Sequence, residues 1–188
     1  GASNVAIGRE ALVSNTTGGQ SVVVGYQAGY STTTGSERTL IGYQAGYALT
    51  SGVNTTAVGW KALASNTTGG SNTAVGLVAL EDNTTGGDNV AIGVGAVGDN
   101  TSGSSNTGMG RDALRSNTTA SNNTAVGYQA GYSNTTGALN TAVGTQALYA
   151  NTTQAYNTAV GYRALYNNAQ SYNTAVGHAA LTANTGGY

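Results

Sequence analysis

Apolar residues in this chain come in short bursts. A run such as Thr73-Ala74-Val75 ends on a glycine, Gly76, and a polar stretch rich in Asn, Thr and Gly follows before the next run. The closing glycines are Gly8, Gly25, Gly42, Gly59, Gly76, Gly93, Gly110, Gly127, Gly144, Gly161 and Gly177. The first nine intervals are 17 residues and the tenth is 16, which makes eleven copies of one unit. Self-similarity at a short fixed period is the signature of a repeat architecture.

Each repeat is numbered here from the Asn of Asn-Thr-Ala-Val-Gly, so that the closing glycine is position 5. Position 4 is always Val, Ile or Met; position 8 is always Ala; position 9 is Leu, Val or Gly; and position 12 is Asn in nine copies. The Thr-Ala-Val run, mostly β-branched, predicts a short strand. Gly at position 5 turns the chain, because glycine adopts positive φ freely. Asn at position 12 and the mostly Gly position 15 bracket a second short segment with turn chemistry at both ends. One repeat is then one coil of two or so short strands. Coils stacked about 4.8 Å apart bury a continuous inner column and form a rod of roughly 50 Å. Candidates for that column are Val/Ile at position 4, Ala at position 8 and Leu at position 9. The Asn columns at positions 1 and 12 predict side-chain amide ladders along the rod. The one-residue deletion falls at Asn167-Asn168-Ala169-Gln170, in a predicted turn. No 3.6-residue period supports helices. The fold class is therefore all-β, a parallel β-solenoid of eleven coils, with residues 1–188 forming a single repeat solenoid.

Composition narrows the function. The 188 residues include 30 Gly, no Pro, no Cys and no Phe, and only 7% are charged. A net charge of −1 offers no footprint for nucleic acid or an anionic membrane. Without Cys there is no disulfide framework and no thiolate metal site. No apolar run approaches the roughly 20 residues of a membrane span. Solenoids usually carry polar caps. The repeat pattern runs to both ends without them, so a piece of a longer fibre protein is expected.

The segments Ser3-Asn4-Val5-Ala6-Ile7-Gly8 and Asp88-Asn89-Val90-Ala91-Ile92-Gly93 resemble the repeat motif of YadA-like heads of trimeric autotransporter adhesins. The Asn-Thr-Ala-Val-Gly…Asn-Thr-Thr-Gly variety is also similar to repeats in bacteriophage tail fibres. The resemblance implies a left-handed β-roll, a parallel homotrimer, and a place outside the cell, on a virion tail fibre or a bacterial surface. It implies a structural or adhesive role; low charge and the unpaired strand groups of an uncapped coil add end-to-end stacking as a further self-contact. The 17-residue coil is longer than the usual adhesin-head coil, and Thr and Val mostly replace Ser and Ile.

Chemistry is sparse. The seven acidic residues scatter over several columns, and the one close pair is Asp82 and Asp99, both at position 11 of adjacent coils. The single histidine, His178, sits at position 6 and reads as a surface residue. A calcium ladder of the Gly-rich nonapeptide type needs an Asp in every coil, and that Asp is missing. No enzyme activity, metal or cofactor is expected. The aromatics are more informative. Tyr26, Tyr43 and Trp60 occupy position 6 of consecutive coils, and Tyr30 and Tyr47 occupy position 10; Tyr128 and Tyr132 repeat the pair further on, near Tyr149, Tyr162 and Tyr166. A column in a solenoid becomes a stripe, and a Tyr/Trp stripe amid Asn, Thr and Gln fits a glycan platform or aromatic packing between coils or subunits. Threonines at positions 13 and 14 raise the alternative of a monomeric ice-binding or other ligand-binding solenoid. Adjacent strand residues point to opposite faces, which leaves only one outward column there. Asn-Thr-Thr segments at Asn15, Asn66, Asn83, Asn117, Asn134 and Asn151 match the N-glycosylation signal but also serve as turns.

Overall fold

The computed structural model describes residues 3–186. Eleven short strands form one parallel sheet: β1 (Val5–Ile7), β2 (Val22–Val24), β3 (Arg38–Ile41), β4 (Thr55–Val58), β5 (Thr73–Val75), β6 (Val90–Ile92), β7 (Thr107–Met109), β8 (Thr124–Val126), β9 (Thr141–Val143), β10 (Thr158–Val160) and β12 (Thr174–Val176). They lie in sequence order. Each residue pairs with its equivalent in the next repeat, as in Ala74 with Ala91, up to the shortened step that sets Ala159 beside Ala175. The chain is thus a parallel β-solenoid of eleven coils. Among the described residues there is no helix.

The core differs from the expectation at one column. Positions 8 and 9 are inside, as in Ala79 and Leu80, both fully buried. Position 4 is not: Ile7 is 60% exposed, Met109 40% and Val176 69%. The inward strand residue is position 3, where Ala57, Ala74, Ala91 and Ala159 are fully buried. Alternation along a strand allows only one of positions 3 and 4 to face in, and the coil is too narrow for a branched side chain in most repeats. Neighbouring coils exchange volume where the pattern varies. Leu40 takes position 3 of β3 because Gly29 and Gly46 lack side chains at position 9; a Cβ on Gly46 would lie 2.9 Å from Leu40 Cδ2. Conversely Gly108 takes position 3 of β7, where a Cβ would lie 2.5 Å from Val97 Cγ2.

The second half of each coil is also not the second strand that was expected. Positions 7 and 9 have positive φ, as in Gln44 (53°) and Leu63 (57°), including the branched Val78 (52°) and Val97 (50°). Such residues cost about 1–2 kcal/mol each in this region. Hydrogen bonds to both neighbouring coils hold them there: Gln44 N–H donates to Tyr26 O at 2.9 Å and Gly46 N–H to Ala62 O at 2.9 Å. Among the described residues a second strand forms only at the deletion, where β11 (Asn167–Asn168) pairs with β13 (Ala183–Asn184) instead of turning.

Both predicted amide ladders are present, and both are inside the coil. At position 12, Asn83 Nδ2 donates to Asn66 Oδ1 at 2.7 Å, Asn100 to Asn83 at 2.7 Å and Asn117 to Asn100 at 2.8 Å. The column continues through Asn134, Asn151 and Asn168 to Asn184. At position 1, Asn72 Oδ1 accepts from Asn89 N–H at 3.0 Å, while Asn72 Nδ2 donates to Gly86 O at 2.8 Å, bracing the turn at position 15. These fully buried amides satisfy one another, which is what makes so polar an interior stable.

The ladders are interrupted over coils 2–4, where Ser21, Arg38 and Thr55 hold position 1 and Thr32 and Leu49 hold position 12, and the gap leaves Asn15 Oδ1 without a partner. Arg38 replaces Asn at position 1 and is 2% exposed; Leu49 replaces Asn at position 12. Arg38 Nε donates to Gly52 O at 2.6 Å and Nη2 to Thr50 O at 3.2 Å, taking over the turn carbonyl that Asn braces elsewhere. Its Nη1 has no partner, no ion pair among the described residues includes it, and burial lowers its pKa to about 10. A buried cation without a carboxylate is costly. The double variant Arg38→Asn/Leu49→Asn, which removes the buried cation and places an amide at both ladder positions of the third coil, is expected to raise stability on the order of 1–2 kcal/mol. Hydrogen exchange reads this as slower exchange confined to coils 2–4; unchanged or faster exchange there contradicts it.

Candidate binding surfaces

The glycine turn at position 5 presents position 6 outward, so the aromatic column lies beside the exposed position-4 column. Tyr26 stacks on Tyr43 with ring centroids 5.3 Å apart, and Tyr43 on Trp60 at 6.0 Å. Cations close both ends of this stack. The Arg9 guanidinium lies 5.9 Å from the Tyr26 centroid and Lys61 Nζ 4.7 Å from the Trp60 ring. At position 10, Tyr30 stacks on Tyr47 at 5.1 Å, and Tyr132, Tyr149 and Tyr166 form a three-ring column at 5.2 and 5.0 Å. Burial within that column, then the neighbouring phenols, push the Tyr149 hydroxyl above its ordinary pKa. Tyr128 is exposed at position 6 and makes no ring stack among the described residues.

The stripes are therefore real columns, but their ring faces are largely spent on one another. Sugar stacking needs a free ring face. What the columns offer outward is ring edges and phenol hydroxyls, set beside a glutamine ladder at position 7. There Gln27 Nε2 donates to Glu10 Oε2 at 2.7 Å and Gln44 Nε2 to Gln27 Oε1 at 2.9 Å. Position 6 is interrupted by Leu77, Val94 and Arg111, which divides the surface into two patches.

Those patches are near copies, a feature that reading single repeats missed. Gly8-Arg9-Glu10-Ala11-Leu12 returns six coils later as Gly110-Arg111-Asp112-Ala113-Leu114, and Gly25-Tyr26-Gln27-Ala28-Gly29-Tyr30-Ser31 as Gly127-Tyr128-Gln129-Ala130-Gly131-Tyr132-Ser133. The acid and base at the ends of each position-7 column also recur: Glu10 and Lys61, then Asp112 and Arg163, with Gln146 Nε2 donating to Gln129 Oε1 at 3.1 Å and Arg163 Nε to Gln146 Oε1 at 2.9 Å. Comparing repeats at six times the basic period exposes this signal.

The remaining candidates take structural positions. Asp99 pairs with Arg115 at 3.0 Å; burial raises its pKa, Arg115 opposes the rise and Asp82 adds to it. His178 is exposed and stacks on Tyr162 at 5.1 Å. The position-13 threonines bind the next coil, as in Thr84 Oγ1 donating to Thr101 O at 2.8 Å. The Asn side chains of the glycosylation signals at residues 66, 83, 117, 134 and 151 are buried in the position-12 ladder, closed to a transferase in the folded rod. Among the described residues no group of three or more His, Asp or Glu could hold a metal, no enclosed pocket is present, and no helix is long and apolar enough to cross a membrane. The chain matches no protein-family model, no curated protein and no solved structure.

The most extensive surface feature is the outer face of the sheet. Its position-4 column is apolar in all eleven coils, from Ile7 to Val176, and runs between exposed residues such as Ile41 and Met109 and half-buried ones such as Val58 and Val75. Position 2 adds Val5, Val22 and a row of threonines, and position 6 adds Leu77, Val94 and the aromatic rings. Long exposed apolar patches mark interaction sites more often than chance.

Proposed function

We propose that this chain is a stiff structural segment of an extracellular fibre, held as a parallel homotrimer through the outer face of its sheet. The unbroken apolar column at position 4, exposed or half-exposed along the rod, carries this reading. It follows the same 17-residue step as the fold, so identical rods side by side can match it along their whole length. The likeness of the Asn-Val-Ala-Ile-Gly segments to adhesin heads and tail fibres supports a place on a virion or bacterial surface. Its phenol edges and glutamine amides would meet cell-surface glycans through many weak contacts summed by avidity. No reaction is proposed for it.

A second reading draws on the same face. Thr at position 2 and Val at position 4 both point out with one inward Ala between them, as in Thr73, Ala74 and Val75. This regular, flat array suits ice binding by a monomer better than the adjacent threonines at positions 13 and 14. Light scattering on a sizing column separates the two. A three-chain mass that falls to one chain in Val58→Glu/Val75→Glu is the expected result. A single-chain mass in the unaltered protein with thermal hysteresis would favour ice binding instead, and a single-chain mass without hysteresis would remove both readings.

A further inference from the structure

The chain has 12 Tyr and no Phe, although phenylalanine would stack as well. One tyrosine pair stands apart from the others. Tyr156 and Tyr172 each precede the position-1 Asn of the next coil, and both hold positive φ, at 59° and 65°. Because the tenth coil is one residue short, Tyr172 reaches this place from position 16. Their rings stack with centroids 4.9 Å apart and planes 5° from parallel, the shortest centroid distance among the described ring stacks. They are also open to solvent, Tyr156 at 51% and Tyr172 at 77% exposure. The position-6 and position-10 tyrosines are less exposed, and Tyr26 and Tyr162 also lie under arginines.

We propose that Tyr156 and Tyr172 form a site for oxidative cross-linking into dityrosine, joining coil 9 covalently to coil 10. The oxidant class is a peroxide acting through a haem peroxidase. Each phenol loses one electron and one proton to give a tyrosyl radical. The two radicals couple through the ring carbons next to their hydroxyls, forming one carbon–carbon bond. Each ring then transfers the hydrogen on its coupling carbon to its own oxygen and regains aromaticity. In total two hydrogen atoms leave the protein, and one hydrogen peroxide is reduced to two waters. Adjacent parallel strands keep the second ring next to the first, so coupling competes well with escape of the radical. In a rod without cysteine, this is a covalent staple that its side chains can supply. The chemistry is independent of the fibre reading, which bears only on where an oxidant would be met.

The test is treatment of the folded protein with a haem peroxidase and hydrogen peroxide, followed by denaturing separation and peptide mapping. The expected product has single-chain mass, the blue fluorescence of dityrosine, and a linked peptide pair containing residues 156 and 172. Tyr172→Phe, which keeps a stacking ring but removes the phenol, is expected to abolish that linked pair. Absence of the pair from the unaltered protein, links only between chains, or links confined to other tyrosines would overturn the proposal. The assay is read on protein whose sheet signal by circular dichroism matches the untreated sample, so unfolding cannot mimic a negative result.

Discussion

Gly76→Ala is expected to cost about 3–5 kcal/mol of folding stability, from backbone strain and a collision that cannot relax. Gly76 sits at φ +140°, outside the range that L side chains adopt readily, and a Cβ there would lie 2.4 Å from Gly93 O in the next coil. That oxygen belongs to backbone fixed by the inter-coil ladder, so neither partner can move aside alone. Gly177→Ala provides the control. Its φ is +131°, but the nearest atom to an added Cβ is Ala180 Cβ at 3.9 Å. Thermal unfolding of the two variants therefore separates strain from collision, with the Gly177 variant losing only the strain part, about 1–3 kcal/mol. Equal losses would mean that close approach of coils is not what demands glycine at position 5. Because each coil contacts only its neighbours, the Gly76 variant is also expected to unfold in two steps, as its two flanking blocks uncouple.

Asn100→Asp is expected to be nearly as damaging at neutral pH, at about 3–5 kcal/mol, although it exchanges only the amide nitrogen for an oxygen. Asn100 Nδ2 donates to Asn83 Oδ1 at 2.7 Å and to Gly103 O at 2.9 Å, while its Oδ1 accepts from Asn117 Nδ2 at 2.8 Å. A carboxylate there keeps the last bond and sets a buried negative charge against two oxygen acceptors. Burial and those acceptors raise its folded pKa above the unfolded value of about 3.9. The unfolded state then holds fewer protons than the folded one between the two values, so stability falls as pH rises through that window. The loss is complete above the folded pKa and shrinks on acidification, because the protonated carboxyl of this variant can donate to Asn83 again. Urea unfolding across pH checks the sign. A pH-independent loss would mean that the ladder tolerates the charge, and that the amide column is packing rather than hydrogen bonding.

Much of the fold is legible residue by residue in the sequence. The glycine comb gives the coil, Ala at position 8 gives its tight inner wall, and two Asn columns give two ladders. The misplaced column shows the limit of such reading. In a three-residue strand such as Thr73-Ala74-Val75, hydrophobicity favours an inward Val, while available space favours an inward Ala, and the narrow coil decides for space. Position 8 is Ala in every coil, whereas the column of Ala74 also holds Val23, Leu40 and Gly108 and so signals tight space less plainly. The positive-φ alternation was beyond local reading, because Gln44, Leu63 and Val97 have no preference for it; the ladder to neighbouring coils imposes it. The surface columns were visible as stripes, but the loss of free ring faces to stacking, and the Arg9 and Lys61 caps, needed three dimensions.

The uniform register has a consequence for how such a rod changes over generations. Apart from the shortened tenth coil, the junctions between coils are built from the same backbone contacts, so a 17-residue coil can be added or removed without creating a foreign junction. Length is then quantised in steps of about 4.8 Å, and near-identical coding repeats invite unequal recombination in frame. The return of the Arg9–Ser31 pattern at Arg111–Ser133, six coils on, has the form of one such event. Reach thus becomes a trait that selection can adjust without redesigning the fold, while the side-chain columns copied with each block multiply whatever they touch.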